Sequence, residues 1–192
     1  MKAVLKKTLK IGFRLLLLPL YLWFELLARL TNEDSIFQSI SQYLSLIPGK
    51  LGIYCRAAFY WWACPDTSDE IAIGFLTLLS HRNTTIRKGV YIGPQCNIGC
   101  CTIGEDTLLG SGVHILSGKN QHNIDDLNTP IKNQGGDFVK ICIGNWCWLG
   151  NNVVILSNVG DKTVVAAGTV LTKTFEESTI IAGNPGKLVR KR

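Results

Sequence analysis

Residues 85–115 read TIRKGVYIGPQCNIGCCTIGEDTLLGSGVHI, and residues 141–171 read ICIGNWCWLGNNVVILSNVGDKTVVAAGTVL. In the first stretch an aliphatic residue recurs every six positions: Ile86, Ile92 and Ile98, then Ile103 after a five-residue step, then Leu109 and Ile115. The second continues with Ile143, Leu149 and Ile155, then Val159 after a short step, Val165 and Leu171. Four residues beyond these lies a second column, small or β-branched throughout: Val90, Cys96, Thr102, Thr107 and Val113, then Cys147, Val153, Thr163 and Thr169. Glycine often follows the aliphatic residue, as at Gly93, Gly99, Gly104, Gly110, Gly144, Gly150 and Gly160.

A period of six fits neither a helix of 3.6 residues per turn nor a flat strand with its period of two, so the chain must turn at regular intervals. Short strands joined by tight corners meet that demand. The aliphatic residue fills the core at each face, and the small one points inward near the corner. Glycines and the asparagines Asn97, Asn151 and Asn152 suit the unusual backbone angles expected of corners. Three faces close one coil, and stacked coils bury a core that one coil cannot. A β-sandwich is disfavoured, because its turns come every 8–12 residues.

Three segments carry a resemblance to a known family: YIGPQCNIG at 91–99, ICIGNWCWLGNNVVI at 141–155, and VVAAGTVLTK at 164–173 with AGNPGKLVRKR at 182–192. They resemble the hexapeptide-repeat acyltransferases, and among these the sugar and polysaccharide O-acetyltransferases, over roughly residues 70–192. The resemblance implies a left-handed parallel β-helix, assembly as a homotrimer and use of acetyl-CoA. The expected fold class is therefore all-β over 70–192, preceded by an α-helical, membrane-associating segment over 1–69.

The net charge of +6 is unevenly placed. Lys2, Lys6, Lys7, Lys10 and Arg14 open the chain, and Lys187, Arg190, Lys191 and Arg192 close it. A near-neutral middle argues against a broad nucleic-acid surface. It suits two local anionic contacts, lipid headgroups at one end and a phosphate at the other. Seven cysteines invite a disulfide or zinc reading. Both are disfavoured: the count is odd, no CxxC pair has a second half, and Cys96 and Cys147 sit in the small inward column. A reducing cytosol is the simpler setting, and no metal is expected.

Residues 15–24, LLLLPLYLWF, are uninterrupted apolar sequence. They fall short of the roughly 20 residues of a membrane span. Arg14, Glu25 and Arg29 bracket them, and Pro19 is expected to bend or break a helix. The basic start, Leu-rich face, Tyr21 and Trp23 favour a segment lying in the membrane interface, at the cytoplasmic face of the cell membrane. Packing on a neighbouring subunit, a true span and a signal peptide are the alternatives. Asn32 or Asp34 caps a second helix with Ile36, Ile40 and Leu44 on one face, ended by Pro48 and Gly49. Leu51, Tyr54, Ala58 and Trp61 or Trp62 form an aromatic stripe at helical spacing in the next segment. Ile71, Ile73 and Leu79 are placed to begin the first coil.

Residues 116–140 interrupt the repeat with a polar loop, and insertions in a solenoid often lie on its binding face. Acyl transfer from a thioester needs a base for the acceptor's proton and donors for the oxyanion. His81, His114 and His122 are the chain's three histidines. In the family the catalytic histidine sits on such a loop, a place held here by His122 in SGKNQHNIDD. Where many relatives carry a second histidine two positions earlier, this chain has Asn120. His114 is the runner-up and should point outward, while His81 is expected to be structural. Asp125 and Asp126 are candidates to orient a histidine. The family's cofactor motifs map onto Trp148, Ala167, Gly168, Thr172, Lys173, Lys187 and Arg190, with a candidate cis bond at Asn184–Pro185. The expected reaction is acetyl transfer from acetyl-CoA to a hydroxyl of a sugar or polysaccharide precursor. An acetyltransferase for a small soluble acceptor, and a non-catalytic β-helix scaffold, are the competing readings.

Overall fold

The computed structural model describes residues 2–192, with side chains from Val4 onward. Met1 and the side chain of Lys2, counted above among the early basic residues, lie outside the described residues. Three helices come first: α1 (Lys2–Ala28), α2 (Glu33–Ser45) and α3 (Gly49–Ala63). The rest is a stack of coils with three faces. One face carries the strands Ala72–Ile73, Tyr91–Ile92, Leu108–Leu109, Trp148–Leu149, Val164–Val165, Thr179–Ala182 and Lys187–Lys191. The second carries Leu78–Leu79, Asn97–Ile98, His114–Ile115, Val154–Ile155 and Val170–Leu171. The third carries Thr85–Ile86, Cys101–Ile103 and Ile141–Ile143. All ladders are parallel except the last, where Thr179–Ala182 and Lys187–Lys191 run antiparallel.

The aliphatic column becomes the core. Ile86, Ile92, Ile98, Ile103, Leu109, Leu149, Ile155, Val165 and Leu171 are each fully buried. Ladder partners come from successive coils, as in Ile92↔Leu109 and Ile98↔Ile115. The inward column is buried too, with one correction. Thr102 is only half-buried, while Cys101 is fully buried in its place. The five-residue step from Ile98 to Ile103 advances the pattern by one, so the residue two before Ile103 takes the inward position.

The corners also differ from expectation. Gly93 and Gly104 are required by space: an added Cβ would lie 2.6 Å from Gly110 C and 2.5 Å from Gly144 C of the next coil. The left-handed angles fall two residues later, at Gln95, Asp106, Trp146, Asn152 and Lys162. Asn152 thus fits its expected role, whereas Asn151 works through its side chain, its Oδ1 accepting from Ser111 N at 3.0 Å.

The helices cover the open end of the first coil. Phe24, Phe37, Phe59 and Tyr60 interlock beneath it, with the Phe24 and Phe59 rings 5.9 Å apart. Asn32, not Asp34, caps α2, accepting from Ser35 N at 3.0 Å. Pro19 lies inside α1 without ending it. The stripe read from sequence is only partly the buried side of α3: Ala58 faces inward with Cys55, Arg56, Phe59 and Tyr60, while Leu51 is exposed. Arg56, fully buried, donates from Nε to Ile73 O and from one terminal nitrogen to Leu44 O and Ile47 O, each at 2.9 Å. It joins the end of α2 to the first coil.

Arg56→Met should lower stability by about 3 kcal/mol or more, because three carbonyls lose a charged donor. Arg56→Lys should recover little, since an ammonium cannot reproduce the planar fork. Urea unfolding of the three proteins measures both effects.

Candidate active site

The polar loop leaves the stack between the second and third faces of the third coil, after Ile115 and before Ile141. It folds back on itself as an arm. Asn123 N donates to Gly135 O at 2.9 Å, Asp137 N to Asn120 O at 2.7 Å and Val139 N to Ser117 O at 2.9 Å. Gly136 makes this approach possible at its closest point, since a Cβ there would lie 2.1 Å from Gln121 O and 2.7 Å from His122 N. The Gln134 side chain ties the tip, donating to Asp126 O at 2.7 Å and Thr129 O at 2.6 Å. Lys140 fastens the arm's end, its Nζ reaching Asn83 Oδ1 at 3.0 Å and Thr85 Oγ1 at 3.1 Å.

His122 lies exposed on this arm. Asp126 is committed elsewhere: it accepts from Asn128 N at 2.9 Å, and the Thr129 hydroxyl and that N–H hold its carboxyl below the usual carboxylate range. It serves the turn and is not hydrogen-bonded to a histidine.

Beside the root of the arm is a cleft of about 470 Å³, lined among others by His81, Asn97, His114, Ser117, Gln121 and Phe138. Asn97 and His114 are ladder partners on the second face and project outward from it, as expected for His114. Gln121 brings the neighbour of His122 to the same cleft. Two of the three histidines, His81 and His114, therefore line one cavity, and His122 follows the lining residue Gln121 in the chain. His81, expected to be structural, is tied to α2 and also lines the cleft. Its Nδ1 lies 2.8 Å from Asp34 Oδ2, and its ring sits 5.5 Å from that of Phe138. Sequence reasoning missed this pair because its members lie 47 residues apart, with no spacing rule to link them.

Arg82, next in the chain, locks the helices to this corner. It donates from Nε to Ala63 O at 3.1 Å, pairs with Glu33 at 3.1 Å, and pairs with Glu25. Burial alone would lower its pKa, but the two glutamates outweigh that and raise it.

The residues matched to cofactor motifs lie apart from the cleft. Ala167 and Gly168 form an exposed corner, and Gly168 has no atom within 4 Å of where a Cβ would stand. The Asn184–Pro185 bond is cis, and the turn around it packs on the same end of the stack: Gly186 N donates to Val170 O at 2.8 Å, and Val170 N to Gly183 O at 3.1 Å. Lys173, Lys187 and Arg190 are exposed nearby in sequence and ladder, and Thr172 follows the last strand of the second face. Trp148 is exposed on the first face, paired with Val164 of the coil above. An open corner with exposed cations beyond it fits a thioester carrier whose arm lies against backbone and whose phosphates need positive charge.

Comparison with known proteins agrees with the fold. The family model described as bacterial transferase hexapeptide (six repeats) matches residues 83–117. A putative lipopolysaccharide biosynthesis O-acetyl transferase of Escherichia coli K12 is 34% identical over 116 residues, 57% of this chain and 58% of that protein. A probable macrolide acetyltransferase of Lysinibacillus sphaericus is 30% identical over 106 residues, 47% of this chain and 59% of that one. The chain thus spans less than two thirds of the curated relatives it matches. The crystal structure of a maltose O-acetyltransferase from Clostridium difficile 630 superposes with a TM-score of 0.71 at 19% identity, over 84% of this chain and 89% of that one. The coil repeat and these likenesses give the chain the hexapeptide-repeat fold, and it is similar over part of its length to bacterial hexapeptide transferases.

Proposed function

We propose that this chain is an O-acetyltransferase that moves the acetyl group of acetyl-CoA to a hydroxyl of a sugar or polysaccharide precursor. The observation that carries the reading is a polar cleft at the root of the inserted arm that holds His81 and His114, beside an arm that carries His122. Similarity to the lipopolysaccharide O-acetyl transferase supports the acceptor class. Similarity to the macrolide acetyltransferase keeps a small soluble acceptor as the second reading. Acetyl-CoA supplies the reactive thioester. His122 takes the proton of the acceptor hydroxyl as that oxygen bonds to the acetyl carbon, and returns it to the departing sulfur. Ala167, Gly168, Thr172 and Trp148 line the path of the carrier, and Lys173, Lys187 and Arg190 hold its phosphates.

The working unit in this reading is a trimer of left-handed β-helices. On the first face, Tyr91, Leu108 and Trp148 form an exposed apolar column through successive ladder pairs. The arm adds exposed Ile124, Leu127 and Ile131. Contiguous apolar surface of this kind marks contact sites. A neighbouring copy would cover both features and bring the arm's histidine to the carrier's groove.

The N-terminal helix seats the enzyme on the cytoplasmic membrane surface. Val4–Ala28 is long and apolar enough to cross a bilayer, and little of it is buried. Yet one side of α1 is bound to the body of the protein. Leu17 and Phe24 are buried, Phe13 stacks on Tyr54 at 5.1 Å, and Lys10 and Arg14 pair with Asp69 at 3.3 and 3.5 Å. The other side exposes Leu15, Leu16, Leu22, Trp23 and Leu26. A helix held lengthwise with one apolar side outward favours lying in the interface over crossing it.

His122→Ala should reduce acetyl transfer by about 10²–10⁴-fold, the usual worth of a positioned base, with acetyl-CoA affinity by calorimetry unchanged. Unchanged turnover would remove His122 as the base. Glu in place of Leu15, Leu16 and Trp23 together should weaken binding to phosphatidylglycerol-containing vesicles by about tenfold or more, because these side chains then lose their apolar burial in lipid. Equal co-sedimentation of wild type and variant would sink the interfacial reading.

A further inference from the structure

The chain's three histidines are not equivalent, and only His81 and His114 line the cleft. His122 and His114 are exposed, whereas His81 is half-buried and held in place. Its Nδ1 faces Asp34 Oδ2 at 2.8 Å, and the other carboxylate oxygen accepts from Arg82 N at 2.7 Å. Asn32 already caps α2, so Asp34 is not needed for that task. Two contacts fix the carboxylate, and the carboxylate fixes the ring. The proton of neutral His81 then belongs on Nδ1, a tautomer assigned from the hydrogen-bond network. That leaves Nε2 as an acceptor, and the ring lines the cleft. Phe138, from the far strand of the arm, packs at 5.5 Å and bounds the ring on another side.

The chemistry of the walls says what such an acceptor would meet. Besides the histidines, the polar groups of the cleft are amides and hydroxyls: Gln38, Asn97, Gln121, Ser80 and Ser117. Among the described residues, no Lys, Arg, Asp or Glu lines it. A site for a phosphate or carboxylate would carry a cation, and a site for an amine would carry an acid. Neutral donors and acceptors beside an aromatic ring suit an uncharged polyhydroxylated ring.

We propose that the cleft binds the acceptor as an uncharged sugar ring, and that His81, oriented by Asp34, accepts a hydrogen bond from one of its hydroxyls through Nε2. The proposal rests on the acetyltransferase reading above and adds a residue and a charge class to it. The energetic logic is one-sided. An acceptor hydroxyl that enters the cleft gives up water, and an unmatched buried polar group is costly. His81 supplies the match. Asp34→Asn would weaken it, because the amide can donate to Nδ1 and shift the ring proton to Nε2, turning an acceptor into a donor.

The test is steady-state acetylation by the full-length protein of a panel of methyl glycosides (glucose, galactose and mannose), with acetyl-CoA binding by calorimetry and melting temperature alongside. His81→Leu should raise the acceptor KM by about tenfold or more, with kcat at saturating acceptor and the Kd for acetyl-CoA changed by less than about twofold. His81→Gln, whose Oε1 falls close to the place of Nε2, should raise KM by only about threefold. Asp34→Asn should fall between the two, and it carries the test if His81→Leu does not fold. An acceptor KM left unchanged in Asp34→Asn and in whichever His81 variants fold overturns the proposal while the acetyltransferase reading stands. So does a fall in melting temperature with no change in KM, since that describes a structural histidine. Wild type that binds acetyl-CoA but acetylates none of the glycosides overturns the uncharged-ring assignment. Wild type that does not bind acetyl-CoA overturns the reading itself.

Discussion

A stack of parallel coils ends in a rim of backbone N–H and C=O groups with no further coil to pair with. Left bare, such a rim is a template for aggregation, and left dry it carries unpaired polar groups. This chain solves the problem at its first coil with side chains and one helix end. Leu79 N donates to Ser41 Oγ at 2.8 Å, Leu76 N to Ser45 O at 3.0 Å, and Ile73 O receives Arg56 Nε at 2.9 Å. Tyr60 completes the set through its hydroxyl, 2.8 Å from Ser41 Oγ. At the opposite end the chain turns back on itself, and Lys187–Lys191 pairs antiparallel with Thr179–Ala182. The solenoid is thus bounded by two different devices, a helical lid and a terminal hairpin.

The helical lid has chemical consequences. Once α2 is fixed over the first coil, its first turn lies at the mouth of the cleft, and Asp34 reaches His81 and the backbone of Arg82. Arg82 in turn draws Glu25 of α1 and Glu33 of α2 to the same corner. A residue placed in the first coil is therefore oriented by elements that precede the repeat. The stabilising contacts and the orienting contacts belong to one network.

The repeat was legible because burial leaves a periodic trace. Ile86, Ile92 and Ile98 announce the coil by spacing alone, and the insertion is visible where the period stops. The errors have equally specific causes. Counting forward from Ile98 places Thr102 inward, and a five-residue step defeats forward counting. Leu51, Tyr54 and Ala58 made a plausible helical stripe, but α3 has apolar residues on more than one side, so composition could not tell the lid's inner surface from its outer one. Asn151 was expected to bend the backbone and instead bridges two coils with its side chain. His81 was unreadable for a deeper reason. Its partner arrives through the packing of a helix on a coil, and no local pattern encodes that contact.

The arrangement also explains why one chain displays its chemistry so openly. The candidate base, His122, stands exposed on an arm whose Leu127 is almost fully exposed at 95%. The corner at Ala167 and Gly168 is likewise open. A solenoid buries side chains inside its coils and has no interior cavity to offer, so its sites must form on outer faces. Water can be excluded there only by something laid against the face. The inserted arm closes one side of the histidine cleft through Phe138 and Gln121. The exposed apolar column of Tyr91, Leu108 and Trp148 shows where a second covering surface would gain most. A fold that stacks so regularly thus leaves its specificity to the irregular parts: the arm that interrupts the repeat and the helices that precede it.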